Sequence, residues 1–131
     1  MTNDKQTNCT FCKIVAGDVP AEKIYEDEHF LAFLDINPQA PGHAQVIPKE
    51  HYRWVWDLPA EKDTLENAGD YFRVAQKIAK AQQKAFSTEW ILSKIVGDEV
   101  PHAHIWVFPG DAKGGKQDIA ENAEKIRQAL E

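Results

Sequence analysis

Residues 101–109, Pro-His-Ala-His-Ile-Trp-Val-Phe-Pro, carry two imidazoles with a single residue between them. In an extended strand successive side chains point to opposite faces. His102, His104 and Trp106 then share one face, and Ala103, Ile105 and Val107 share the other. Burying two neighbouring imidazoles without partners is costly, so the pairing points to catalysis or to metal binding. A neutral imidazole has one free nitrogen lone pair at pH 7. If a backbone carbonyl holds its N–H, the other nitrogen is free to act as a nucleophile. A satisfied core histidine is the plainer alternative. The second reactive cluster is Cys9-Thr10-Phe11-Cys12. Two cysteines at this spacing can give two thiolates to one tetrahedral zinc, with the remaining ligands coming from elsewhere in the chain. A redox pair and two buried, inert thiols are the alternatives, although the βαβ context of thioredoxin-like chemistry is missing.

For these groups to meet, the chain must build a sheet that presents the histidine strand. Lys23 to Tyr25 and Phe30 to Leu34 read as two short strands around an Asp27-Glu28 turn. A loop from Asp35 to His43, held by Pro38, Pro41 and Gly42, leads to a third strand over Ala44 to Ile47, stopped by Pro48. Before the first strand, residues 13–17 read as a short helix or turn ended by Gly17 and Pro20. Residues 59–86 change to a helical period, with Leu65, Ala68, Phe72, Ala75, Ala79 and Phe86 as the apolar stripe and Asp57 as N-cap. Trp90 to Val96 and Ala103 to Phe108 read as strands joined by a turn at Gly97-Asp98-Glu99. Residues 117–131 form a terminal amphipathic helix with Ile119, Ala123, Ile126 and Leu130 on one face. Strands, long helix, strands and helix in that order make an α+β domain with a mostly antiparallel sheet. Residues 9–131 are expected to form this single domain and residues 1–8 a disordered tail.

Bulk properties narrow the partners. The chain has 131 residues, a net charge of −6 and a hydrophobic fraction of 43%. It has no global basic footprint for nucleic acid, although a local site can still hold a phosphate. No apolar run approaches the ~20 residues of a membrane helix, and Met1 to Thr10 lacks the apolar core of a secretory signal. The expected compartment is the cytoplasm, where a Cys9–Cys12 disulfide is not expected. His29 reads as a surface residue, and Glu61, Asp63, Glu66 and Asp70 as a solvated helix face.

Three ordered blocks resemble the histidine-triad (HIT) superfamily. The first is Cys9-x-x-Cys12-Lys13-Ile14-x-x-Gly17-x-x-Pro20-Ala21. The second runs from Phe33-Leu34-Asp35-Ile36 through Pro38, Ala40-Pro41-Gly42-His43 and Val46-Ile47-Pro48-Lys49 to His51. The third is Gly97-x-Glu99-Val100-Pro101-His102-x-His104. The resemblance implies a five-stranded HIT-like fold with one long and one C-terminal helix. It implies a hydrolase or transferase acting at the α-phosphate of a nucleoside 5′-phosphate derivative: a phosphoramidate, an acyl adenylate or a dinucleoside polyphosphate. By the same resemblance His104 is the nucleophile and forms a nucleotidyl-histidine intermediate. His102, Trp106, Gly97, Glu99 and Val100 support it, with backbone N–H groups holding the phosphate oxygens. Phe33, Asp35, Ile36 and His43 contact the nucleoside, Asp35 through the ribose hydroxyls. A duller reading of Asp35 is a turn-initiating carboxylate before Asn37 and Pro38. The resemblance also implies a structural zinc on Cys9, Cys12, His51 and His102, no catalytic metal, and a homodimer.

The sequence departs from the family at two places. Trp106 stands where the third triad histidine is expected. Indole has one N–H donor and no basic nitrogen, so it cannot act as a general acid or base. Upstream of the glycine turn the family's asparagine is replaced, with Ser93 or Lys94 near its position. The first departure leaves one alternative to this reading, a nucleotide-binding module of negligible turnover; the histidines themselves leave another, a metal-dependent hydrolase using His102, His104 and His43.

Overall fold

The computed structural model of the chain describes residues 9–97 and 99–131. The tail expected over residues 1–8, and Asp98 within the glycine turn, lie outside the described residues. Helix α1 (Thr10–Ala16) comes first, followed by strands β1 (Lys23–Glu26), β2 (Phe30–Leu34) and β3 (Ala44–Pro48). A 3-10 turn (Val55–Asp57) and the long helix α2 (Ala68–Ala85) precede β4 (Ile91–Ile95), β5 (Ile105–Pro109) and α3 (Ile119–Leu130). The strands form one antiparallel sheet in the order β1-β2-β3-β5-β4. This is the α+β architecture expected from the sequence.

The sheet separates two apolar layers. On one face Ala32, Leu34, Val46, Ala103, Ile105 and Val107 pack with Tyr71, Val74 and Ile78 of α2 and Ala123 and Ile126 of α3. On the other, Leu31, Phe33 and Ile47 pack with Cys9, Phe11, Cys12 and Ile14 from α1. Polar anchors fix α2 to the sheet. Tyr71 Oη donates to the Val46 carbonyl at 2.7 Å, and Gln82 Nε2 donates to the carbonyls of Gly42 and Val107 at 2.9 and 2.8 Å. Helix α1 ends at Gly17, whose φ of 86° is the left-handed conformation a glycine C-cap supplies.

Helix α2 starts later than its periodicity suggests. Asp57 caps no long helix; its carboxylate accepts the Trp54 N–H at 3.1 Å and closes the 3-10 turn. Glu66 has φ 52°, which a right-handed helix cannot accommodate. Asn67 then caps α2, accepting the Asp70 N–H at 2.8 Å. The buried stripe is Tyr71, Val74, Ile78, Ala81 and Gln82, one position out of phase with the expected one. Leu65 precedes the helix and is exposed, as is Phe72. The acidic residues were also misplaced: Glu61, Asp63 and Glu66 are not helical, and Glu66 is buried. His29 is half-buried between Glu28 and Glu66, 3.6 and 3.5 Å away.

Candidate active site and metal centre

Strand β5 begins at Ile105, so His102 and His104 sit on the extended approach to it. The Ala103 N–H donates to the Tyr52 carbonyl at 2.6 Å and holds this approach in place. The alternation of faces holds. Ala103, Ile105 and Val107 pack beneath α2, while His102 and His104 meet Phe11 of α1, at ring distances of 6.0 and 5.2 Å. Trp106 faces Gln45 of β3, which in turn faces Phe33 of β2.

At one end lies a closed cluster. The ligand atoms of Cys9, Cys12, His51 and His102 lie within 4.8 Å of one another, and all four residues are buried. His102 Nε2 donates to the Pro48 carbonyl at 2.8 Å, which leaves the Nδ1 lone pair facing Cys9 Sγ at 3.5 Å and Cys12 Sγ at 3.4 Å. His51 Nδ1 lies 3.1 Å from Cys12 Sγ, and Cys9 Sγ accepts the Cys12 N–H at 3.3 Å. The cysteines form no disulfide. A tetrahedral zinc with ~2.3 Å bonds to sulfur and ~2.0–2.1 Å to nitrogen places neighbouring ligand atoms roughly 3.3–3.8 Å apart. The donor set fits. Two thiolates balance the ion's charge, and the carbonyl behind His102 fixes its tautomer as zinc-binding histidines require. Burial pushes the His102 pKa down to about 4, with the Pro48 hydrogen bond opposing and the His51 and His104 rings adding to the fall. A neutral ring is the ligand form.

The other end is open. His104 Nδ1 donates to the His102 carbonyl at 2.7 Å. Its Nε2 hydrogen-bonds to none of the described residues. Burial lowers the His104 pKa; the His102 carbonyl and the carboxylates of Glu99 and Asp35 oppose this, and Arg53 reinforces it. A neutral ring with one lone pair free is the nucleophilic form. Phe11, which packs edge-on against His104, also lines a cavity of about 240 Å³. Phe33, Asp35, Ile36, Gln45, Glu99 and Val100 are also part of its wall. Among the described residues, two larger cavities of about 360 and 420 Å³ open against α2; none of the three is lined by His102 or His104 itself.

Asp35 both initiates the loop and lines the cavity. Oδ1 accepts the Asn37 N–H at 2.8 Å and starts the loop, while Oδ2 accepts from Gln45 Nε2 at 2.8 Å at the cavity wall. His43 does not line the cavity. Its Nδ1 accepts the Gln39 N–H at 3.0 Å, and its ring packs on Trp106 and Phe108 at 4.7 and 5.1 Å. Gly97 is buried because the Trp54 ring fills the space where a Cβ would stand. Phe11, Gln45, Arg53 and Trp54 escaped sequence reasoning, since no motif chemistry distinguishes them from ordinary core, strand and loop residues.

Comparison with known proteins places this geometry. Residues 16–113 match the HIT domain family. "Protein hit" of Bacillus subtilis is 42% identical over 112 residues, covering 82% of this chain and 74% of that protein. The adenosine 5′-monophosphoramidase HNT1 of Saccharomyces cerevisiae is 38% identical over 109 residues, covering 82% and 66%. A zinc-bound histidine triad family protein from Mycobacterium smegmatis superposes with a TM-score of 0.78 at 34% identity, covering 94% of this chain and 93% of that one. The superposition takes in most of the chain.

Proposed function

Because the chain belongs to the HIT domain family, we propose that it hydrolyses or transfers at the α-phosphate of a nucleoside 5′-phosphate derivative, with His104 as the attacking group. The observation that carries this reading is the state of His104. Its Nδ1–H is spent on the His102 carbonyl, so Nε2 carries the lone pair, and Phe11, which packs on this ring, lines the cavity. The nucleoside occupies that cavity, with Asp35 Oδ2 accepting from the ribose hydroxyls and Phe33 and Ile36 against the base or sugar. Nε2 forms a bond to phosphorus, the leaving group departs, and water then releases the nucleotide. Backbone N–H groups around Gly97, Glu99 and Val100 hold the phosphate oxygens as charge develops.

The zinc cluster takes no part in these steps. A zinc ion there has four protein ligands and no open position for water; it joins α1 to the sheet and fixes His102, whose carbonyl orients His104. The assembly belonging to this reading is a homodimer in the cytoplasm, tested by sedimentation and fractionation. The primary test is an intact-mass time course with an adenosine 5′-phosphate derivative, beside His104→Ala. Product or a nucleotidyl adduct in the wild type, lost by at least ~10³-fold in the variant, is expected. Tight AMP binding with neither product nor adduct overturns the enzyme in favour of a binding module.

A further inference from the structure

His104 has two flanks on the site face: that of Phe11, which packs on its ring and lines the cavity, and that of Trp106, the next residue along β5 on this face. That second flank has an unusual make-up. Strand register puts Lys94 of β4 directly across from Trp106, whereas Ser93 pairs with Val107 on the helix-facing side. Lys94, not Ser93, is therefore the residue of β4 that shares the site face. Its Nζ lies 5.7 Å from the centroid of the indole ring. Lys94 is exposed and forms no ion pair with the described residues. Trp106 Nε1 and His43 Nε2 are buried donors without hydrogen-bond partners among the described residues, His43 Nε2 lying 3.9 Å from Asp35 Oδ2. His43 accepts at Nδ1, so it holds its one proton on Nε2 as a neutral ring. This flank thus offers one mobile positive charge, an aromatic surface and no imidazolium.

The chemistry of the leaving group decides what such a flank can serve. An amine expelled from a phosphoramidate must take up a proton as the P–N bond breaks. A phosphate expelled from an anhydride departs as a stable anion and needs only its charge balanced. A primary ammonium holds its proton several pK units more tightly than an imidazolium, so it is a good counter-charge and a poor acid. We propose, resting on attack by His104 as above, that Trp106 and Lys94 select the leaving group: this site cleaves nucleoside phosphoanhydrides in preference to phosphoramidates. His104 Nε2 forms the N–P bond while the bridging P–O bond breaks, and its electron pair leaves on the departing phosphate oxygen, beside Lys94. Water then attacks the same phosphorus. The N–P bond returns its pair to Nε2, and the water's proton passes to solvent.

The test compares diadenosine triphosphate with adenosine 5′-phosphoramidate on the purified full chain, by chromatographic product assay. The wild type is expected to show a kcat/KM at least tenfold higher for the anhydride. Lys94→Ala lowers the anhydride-to-phosphoramidate ratio about tenfold, and Lys94→Arg keeps it. Trp106→His restores an acid and raises phosphoramidate turnover ~10²-fold or more. Lys94 is exposed, so its variants keep the fold even if Trp106→His does not. Preferential cleavage of the phosphoramidate through a His104 adduct overturns this inference and leaves the proposed function standing. Equal loss of both substrates in Lys94→Ala overturns it too, since Lys94 would then not read the leaving group. No product and no adduct with either substrate overturns both proposals.

Discussion

His102 and His104 are neighbours in sequence and alike in burial, but their hydrogen bonds separate them. At His102 both ring nitrogens are committed, one to the Pro48 carbonyl and one toward two thiols. At His104 only Nδ1 is committed, and the flank beyond it holds three buried polar atoms without partners: His43 Nε2, Gln45 Oε1 and Trp106 Nε1. Buried polar groups are nearly always satisfied, so a cluster of exceptions is informative. The saturated end can hold a metal and do nothing else. The unsaturated end keeps the His104 Nε2 lone pair free, as the proposed attack requires.

Metal removal tests the first half of this contrast and should give the largest effect. One zinc per chain is expected by elemental analysis of the purified protein. Structural zinc contributes about 10–16 kcal/mol in small zinc-finger peptides. Here two apolar layers persist without it, so Cys12→Ala should lower stability by less, on the order of 5 kcal/mol, read from the urea midpoint. A chelator should lower the wild-type midpoint in parallel and leave Cys12→Ala unmoved. A metal-free protein with an unchanged midpoint would reduce the cluster to buried thiols, and the contrast would fail at its better-defined end.

Gly97 probes the open end. The Trp54 ring occupies the place of its missing Cβ. Trp54 is 39% exposed, with the Arg53 guanidinium 4.3 Å above it, and so has room to swing outward. Gly97→Ala should therefore cost only about 1–2 kcal/mol of stability. Turnover should fall at least ~10-fold, because the displaced turn carries the amides assigned to the phosphate. Adding Trp54→Ala removes the clash and should recover both stability and turnover. Unchanged turnover in Gly97→Ala would show that the turn does not position phosphate.

The contrast between the two ends was only half legible in the sequence. Cys9, Cys12, His102 and His104 announce themselves, because few residue types carry such chemistry and their local spacing sets who can share a site. His51 joined them through resemblance alone, since the fold and not local spacing brings it to the thiols. The facing of Lys94 with Trp106 depends on register between β4 and β5, which the length and shape of the intervening segment decide. A one-residue slip would have presented Ser93. The start of α2 was missed because Leu65 continues the helical period, while the break depends on the backbone of Glu66. Phe11 and Gln45 became site residues only when α1 and β3 were placed against β5.

Glu66 asks whether an unpartnered atom by itself marks function. Its Oε1 is buried without a partner, as are the orphans beside His104, but its neighbours are His29, Glu50 and Tyr52 and not the imidazole row. Burial raises the Glu66 pKa above the usual carboxylate value. A Glu50 backbone hydrogen bond opposes the rise, the Glu50 charge adds to it, and His29 opposes it. A raised folded-state pKa means the favourable, protonated state contributes fully below the unfolded pKa, and that stability is lost as pH rises through the folded value. Glu66→Gln removes the charge at nearly constant size. Its urea midpoint should match the wild type near ~pH 4, and it should be the more stable by about 1 kcal/mol near ~pH 8. Turnover should be the same in both proteins at either pH. A fall in turnover without the pH-dependent gain in stability would extend the site to this loop. The expected result shows that an unpartnered buried atom does not by itself mark function, and sets Glu66 apart from the orphans on the flank of His104, where a free imidazole nitrogen stands beside them.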